Sequence, residues 1–221
     1  SGPRAVLMYH RVEERSHDPL RLCVRPSRFA EHLAAIREVA EIVEPGRILD
    51  PGAGPRVAVT FDDGYADNLH HALPVLEAID SPACIFVTNN FLPGAAEYWW
   101  DQLDHLLLDG DTGVPFVELE LAPGVVRFDV RFEAARVRTF SHLNNVFRDL
   151  DPGARREHLR ALHEQLGREP VACAGHRRLD EAELRTLAAG GLVELGGHTA
   201  HHAALPLVAD DVAAREIRDN R

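Results

Sequence analysis

The chain contains no lysine. All 24 of its basic residues are arginine, set against 35 Asp and Glu, for a net charge of -11. Nothing local demands that bias, so it reads as a genomic one. The shortage of positive charge argues against a nucleic acid or an anionic membrane as partner, because both need concentrated basic charge. Long apolar runs are also missing. None approaches the roughly 18 residues of a membrane-spanning helix. Cysteine is scarce: Cys23, Cys84 and Cys173 are odd in number and far apart, without metal-ligand spacing. Reduced, buried thiols are therefore expected. No secretory signal is visible, which favours a cytoplasmic address. The start at Ser1-Gly2-Pro3 in place of Met leaves a removed export signal open. Repeats and low-complexity segments are absent as well.

What is there suffices for one substantial core, with 221 residues of which 45% are hydrophobic. Short apolar runs alternate with helical patterns, the signature of β/α units on a parallel sheet. The runs Ala5-Val6-Leu7-Met8-Tyr9, Ile42-Val43, Val57-Ala58-Val59-Thr60-Phe61, Ala83-Cys84-Ile85-Phe86-Val87 and Leu192-Val193-Glu194-Leu195 read as strands. Phe29, Leu33, Ile36 and Val39 recur at helical spacing behind Pro26. A helix over 67–79 is expected to bend at Pro74. Asp180 with Glu183, then Gly190, brackets another helix.

The rhythm changes between. Residues 98–108 look helical, 114–121 and 125–132 form a hairpin across Ala122-Pro123-Gly124, and two helical stretches follow at 133–147 and 152–166. The expected organisation is a core from 1–92 and 179–221, interrupted by an insertion subdomain at 93–178. That insertion would be a separate layer beside the mouth of the core, shaping substrate choice.

The residues that look chemical all follow strands directly: His10, Asp62-Asp63 and His198 with His202. In a parallel α/β barrel the strand C-termini share one face, and the site is built there. Consecutive side chains leaving a strand diverge, so one carboxylate of Asp62-Asp63 can bind a metal while the other faces a reacting water. Asp-Asp-Gly is also a common strand-to-turn junction. The histidines of His198-Thr199-Ala200-His201-His202 stand at i and i+4 and can aim at one cation, with His201 pointing elsewhere. A solvated His-rich loop is the plain alternative. One carboxylate and two imidazoles suit catalytic Zn²⁺ or Fe²⁺. Trp99-Trp100 could stack on a sugar, although packing of the subdomain is the commoner use. Asn89 and Asn90 could bond substrate hydroxyls or cap their loop.

Thr60-Phe61-Asp62-Asp63-Gly64 followed by His198-Thr199-Ala200-His201-His202 resembles the two principal motifs of the polysaccharide deacetylases, carbohydrate esterase family 4. Tyr9-His10-Arg11-Val12 and the stretch from Gly191 to His202 match that context, so the resemblance covers about 5–92 and 178–221. It implies that Asp62 is the catalytic base and that Asp63, His198 and His202 bind a metal: zinc first, with Fe, Co or Ni also compatible. The substrate implied is an N-acetylated sugar or glycan. The family's later motifs, including the distal Leu-x-His that carries the usual acid, are missing. In a branch resembling the poly-N-acetylglucosamine deacetylases a Tyr-His pair near the N-terminus supplies the acid, and His10 matches that position. A core histidine at a strand end is the other reading of His10. Deformylation, cyclic-amide hydrolysis and a silent carbohydrate-binding domain stay open as alternatives.

The fold expected is α/β, a distorted and incomplete parallel barrel with an α+β insertion subdomain. Setting aside 93–178 leaves too little chain for eight β/α units, which occupy about 250 residues. Five core strands are countable, and the helical pattern over 212–218 should feed another. Either the chain continues past Arg221, or a second chain covers the gap.

Overall fold

The structure is a computed structural model and describes residues 2–89, 97–169 and 173–220. In chain order, β1 (Arg4–Tyr9) leads into the short strands β2 (Arg11–Val12) and β3 (Cys23–Val24). Next come α1 (Pro26–Val39), β4 (Glu41–Ile42), β5 (Arg56–Phe61), a π-helical turn (Asn68–Ala72), α2 (Leu73–Ala78) and β6 (Ala83–Val87). Then follow α3 (Trp99–Leu108), β7 (Phe116–Leu121), β8 (Gly124–Asp129), α4 (Glu133–Asp149) and α5 (Pro152–Leu166). The chain returns with α6 (Glu181–Ala189), β9 (Val193–Gly197) and α7 (Asp210–Arg218). Two compact units result, one from residues 1–91 with 178–221 and the other from residues 92–177.

The first unit is built on an all-parallel sheet ordered β1-β5-β6-β9, with β4 also beside β5. β5 is the pivot. One of its edges pairs with β1 along its whole length, while the other is shared: β4 takes Arg56 and Val57, and β6 takes Thr60 and Phe61. Its β-branched and aromatic run is buried on both faces from Ala58 onward, the pattern of an interior parallel strand. Val59, Phe61, Ile85 and Val193 pack on Phe29, Leu33, Leu76 and Leu187 of the covering helices. Among the described residues the sheet is open, with β1 and β9 at its edges.

Pro26 opens α1 at a position whose missing N–H has no partner to lose. Its apolar stripe buries Phe29 and Leu33, whereas Val39, expected on the same face, is 70% exposed in the last turn. The expected helix over 67–79 is in fact a π-helical turn running into an α-helix. Pro74 explains the break, since it has no N–H to donate and its ring crowds the preceding turn, so the ladder widens ahead of it. Asp180 and Glu183 form a reciprocal capping box at the start of α6. The parallel pair β2-β3 had no legible signal, because two residues are too few to show alternation.

In the second unit β7 buries Val117, Leu119 and Leu121 and exposes Glu118 and Glu120, the two-residue period of a half-buried strand. Gly124, expected in the turn, instead pairs with Leu121, which leaves Ala122-Pro123 as the link. Leu103, Leu107, Phe140, Leu143 and Leu162 fill the space among the helices. The tryptophans belong to this packing. Trp100 stacks on Tyr98 at 4.3 Å, and the Arg155 guanidinium lies over Trp99 at 4.7 Å.

Candidate metal centre

Because the strands are parallel, the segments leaving β1, β5 and β9 emerge at one end of the sheet. The register makes this local: Tyr9 pairs with Phe61, so His10 and Asp62 are the next residues on adjacent strands, and the Asp62 N–H donates to the Tyr9 carbonyl at 2.9 Å. Val87 pairs with Gly197, and the His198 N–H donates to the Val87 carbonyl at 2.8 Å. Asp63, at the end of β5, thus meets the histidine turn at the end of β9 across β6.

Asp63 lies at the bottom with 3% of its side chain exposed, and His198 and His202 form the rim. Their Nε2 atoms stand 3.4 and 3.1 Å from the same oxygen, Asp63 Oδ1. The two imidazole rings are 4.9 Å apart and tilted by 61°, as two ligands approaching one point from different sides would be. One donor atom from each of the three residues lies within 4.8 Å of the others. Burial alone would raise the Asp63 carboxyl. Hydrogen bonds from His198 and His202, with the charges of His202 and His10, instead hold it well below the usual carboxylate range. The His198 imidazole is pushed up by its hydrogen bond to Asp63, against desolvation, with the Asp63 and Asp62 charges adding to the rise.

The backbone is strained at these residues. Asp63, Thr199 and His202 all hold positive φ, at 73°, 62° and 55°. Non-glycine residues rarely adopt that region, and such strain gathers at sites where the surroundings impose it. The i and i+4 spacing of the histidines is therefore realised by a strained turn, with no helix. Gly64 follows at φ 64°, and a Cβ there would stand 2.7 Å from Val87 Cγ1. The turn after Asp63 is closed by the Leu179 N–H, which donates to the Gly64 carbonyl at 2.8 Å.

Asp62 and His10 are half-buried beside this trio. Asp62 is close enough for its charge to act on His198, and His10 for its charge to act on Asp63. His201 does turn away: its Nδ1 and its backbone N–H both reach the Glu216 carboxylate of α7, each at 2.8 Å. The Asn89 amide donates to the Asp219 carbonyl and ties down the end of α7; Asn90 lies outside the described residues. Burial first, then Glu194 and Asp62, pushes the nearby Cys84 thiol up to about 11.

Two supports are not visible in the sequence. Asp67, expected only to start a helix, is buried and accepts from Arg11 Nε at 2.9 Å and from the Val12 N–H at 2.8 Å. Asn68 donates to the His10 carbonyl at 2.9 Å. Together they fasten the segment after β1 to the turn after Asp63. Glu216 does the same for the histidine turn. The one available hint was an Asp-Asn pair so soon after Asp62-Asp63-Gly64, since both residues favour local polar bonding over a helix interior.

The sequence profile described as Polysaccharide deacetylase matches residues 50–113, a stretch that includes Asp62 and Asp63 but not His10, His198 or His202. Among curated proteins none matches the chain. Solved structures similar to it include the Streptococcus pyogenes deacetylase PplD in complex with acetate, 15% identical with a TM-score of 0.47, covering 98% of this chain and 65% of that one. A polysaccharide deacetylase from Bacillus cereus is also 15% identical with a TM-score of 0.46, covering 99% of this chain and 46% of that one. IcaB from Ammonifex degensii is 21% identical with a TM-score of 0.37, covering 97% and 95%. The chain thus spans about half to two-thirds of the length of the first two. The similarity to the polysaccharide deacetylase profile is thus carried by residues 50–113.

Proposed function

We propose that this chain is a metal-dependent hydrolase that removes the N-acetyl group from an amino sugar of a glycan or glycoconjugate. The observation that carries the reading is the convergence of one buried carboxylate and two imidazoles within 4.8 Å, from strand ends far apart in sequence. The donor set fits a divalent cation. One carboxylate and two imidazoles leave positions for water and substrate, which suits Zn²⁺ best, while Fe²⁺, Co²⁺ and Ni²⁺ accept the same ligands.

In this reading Asp63, His198 and His202 hold the cation. A cation bound there supplies Lewis acidity toward the acetamido carbonyl and makes water easier to deprotonate. Asp62, adjacent in sequence but more open than Asp63, takes the proton from the attacking water as general base. His10, next to Asp62 across the β1–β5 register, gives a proton to the departing amine nitrogen. The C–N bond breaks, the water oxygen ends in acetate, and the sugar keeps a free amine. The open sheet is read as part of a distorted parallel barrel, supported by the shared edge of β5, where β4 gives way to β6 along one strand.

Acetate release from a panel of N-acetylated oligosaccharides, nucleotide sugars and small amino-sugar metabolites tests the reading. Release is expected from at least one member with zinc-loaded protein, and loss of release on chelation. Zinc-loaded protein that frees no acetate from any member would overturn it.

A further inference from the structure

The second unit carries a cluster that takes no part in this chemistry. His105 lies in the last turn of α3 and Asp109 follows its end, with His105 Nδ1 2.8 Å from Asp109 Oδ2. Cys173, from the far end of the unit, converges on them, so that one donor atom of each residue lies within 4.8 Å of the others. Spacing along the chain gives no sign of this grouping, because Cys173 lies far from both His105 and Asp109, and the one potential ligand at a metal-binding interval from it, His176, is engaged with Asp101. The grouping comes from folding, and Cys173 is only half-buried rather than lost in the core.

The frame around the cluster is held independently of the three side chains. The Arg168 guanidinium donates to the carbonyls of His105, Asp109 and Asp111, at 2.6, 2.8 and 3.0 Å. On the other side the Cys173 N–H donates to the Glu97 carboxylate. Negative charge is concentrated nearby. Glu97, Asp101 and Asp104 are all buried, and the buried His176 stands 3.1 Å from Asp101 and 4.0 Å from Asp104. Burial pushes the Glu97 carboxyl up, opposed by the Cys173 N–H and by the charges of His176 and His105, with Asp101 raising it further. Glu97 ahead of α3, Asp101 in its first turn and Asp104 in its middle add negative potential that a cation would offset.

An i, i+4 pair at a helix end accounts for His105 and Asp109 alone. It does not account for a thiol brought to the same point. We propose that His105, Asp109 and Cys173 form a second divalent-metal site, best matched to zinc. A thiolate and a carboxylate together cancel the charge of the ion, an imidazole nitrogen adds the third donor, and water can complete a tetrahedron. Binding releases the Cys173 proton and ties the segment around Cys173 to the end of α3. The site lies wholly within the second unit and does not depend on the reading of Asp63.

Metal analysis of the full chain, reconstituted with zinc and desalted, separates the two sites. About two zinc equivalents per chain are expected, falling to about one in Cys173→Ser and to the other one in His198→Ala. Cobalt-loaded protein should show a thiolate-to-cobalt charge-transfer band that survives His198→Ala and disappears in Cys173→Ser. Zinc should slow alkylation of Cys173 by iodoacetamide at least tenfold. A single zinc lost only in Cys173→Ser supports this site and removes the first. Zinc content unchanged by Cys173→Ser, or a single zinc lost only in His198→Ala, overturns it. If Cys173→Ser does not fold, Asp109→Asn replaces it, and the unmutated chain still decides: no thiolate band and no protection from alkylation sinks the proposal.

Discussion

Asp62 and Asp63 are neighbours with different surroundings, and substitution should separate them. Asp63 is buried under two imidazoles, so Asp63→Asn is expected to lose the metal of this site, read as a fall of about one zinc per chain. Asp62→Asn should keep the metal and lower kcat at least about a hundredfold; metal lost with Asp62 and kept without Asp63 would show the roles exchanged. Gly64 offers a third handle. Its φ of 64°, and a Val87 methyl 2.7 Å from where a Cβ would stand, make Gly64→Ala strained and crowded at once. A destabilisation of roughly 1–3 kcal/mol is expected, read from the urea midpoint. The candidate site residues could be picked out because they lie at or soon after the ends of apolar runs, where strand ends gather on one face. Asp67 was not, because its meaning depends on Arg11 and the Val12 N–H, partners that only folding supplies.

At the scale of elements, α7 holds the histidine turn in its strained shape. Glu216 accepts two bonds from His201, and its carbonyl accepts the Ala200 N–H at 3.0 Å. Glu216→Ala should therefore weaken zinc binding by roughly ten- to a hundredfold while Asp63, His198 and His202 remain in place. Competition with a chromogenic chelator measures this, and unchanged affinity would show that the turn holds itself. The strands of the sheet and helices such as α1 and α6 could be read from sequence because apolar periodicity and caps act over short range. The π-helical turn could not: Pro74 announced a break, but how the ladder would widen ahead of it depends on Asn68 and Ala72 being buried. Nor could β2 and β3, too short to carry a pattern.

For the whole molecule, a ligand that binds only the folded state stabilises it by mass action. Free zinc at a hundred times its dissociation constant should add about 2.7 kcal/mol, and a chelator should remove that increment. A calorimetric scan with and without chelator checks it, and His198→Ala should abolish the share due to the first unit. The order of the sheet has a consequence for proton traffic between backbone and solvent. β5 is bonded along both edges, by β1 on one side and by β4 and β6 on the other, whereas β1 and β9 each have one described neighbour. Amide deuteration should therefore be slowest in β5 and approach the global unfolding limit there, with alternate amides of β1 and β9 exchanging early. Asp63 is the second residue beyond that strand, so it hangs from the part of the chain that opens last. The histidines hang from an edge that opens sooner, and in the metal-free protein the half of the site carried by β9 is the half that breathes.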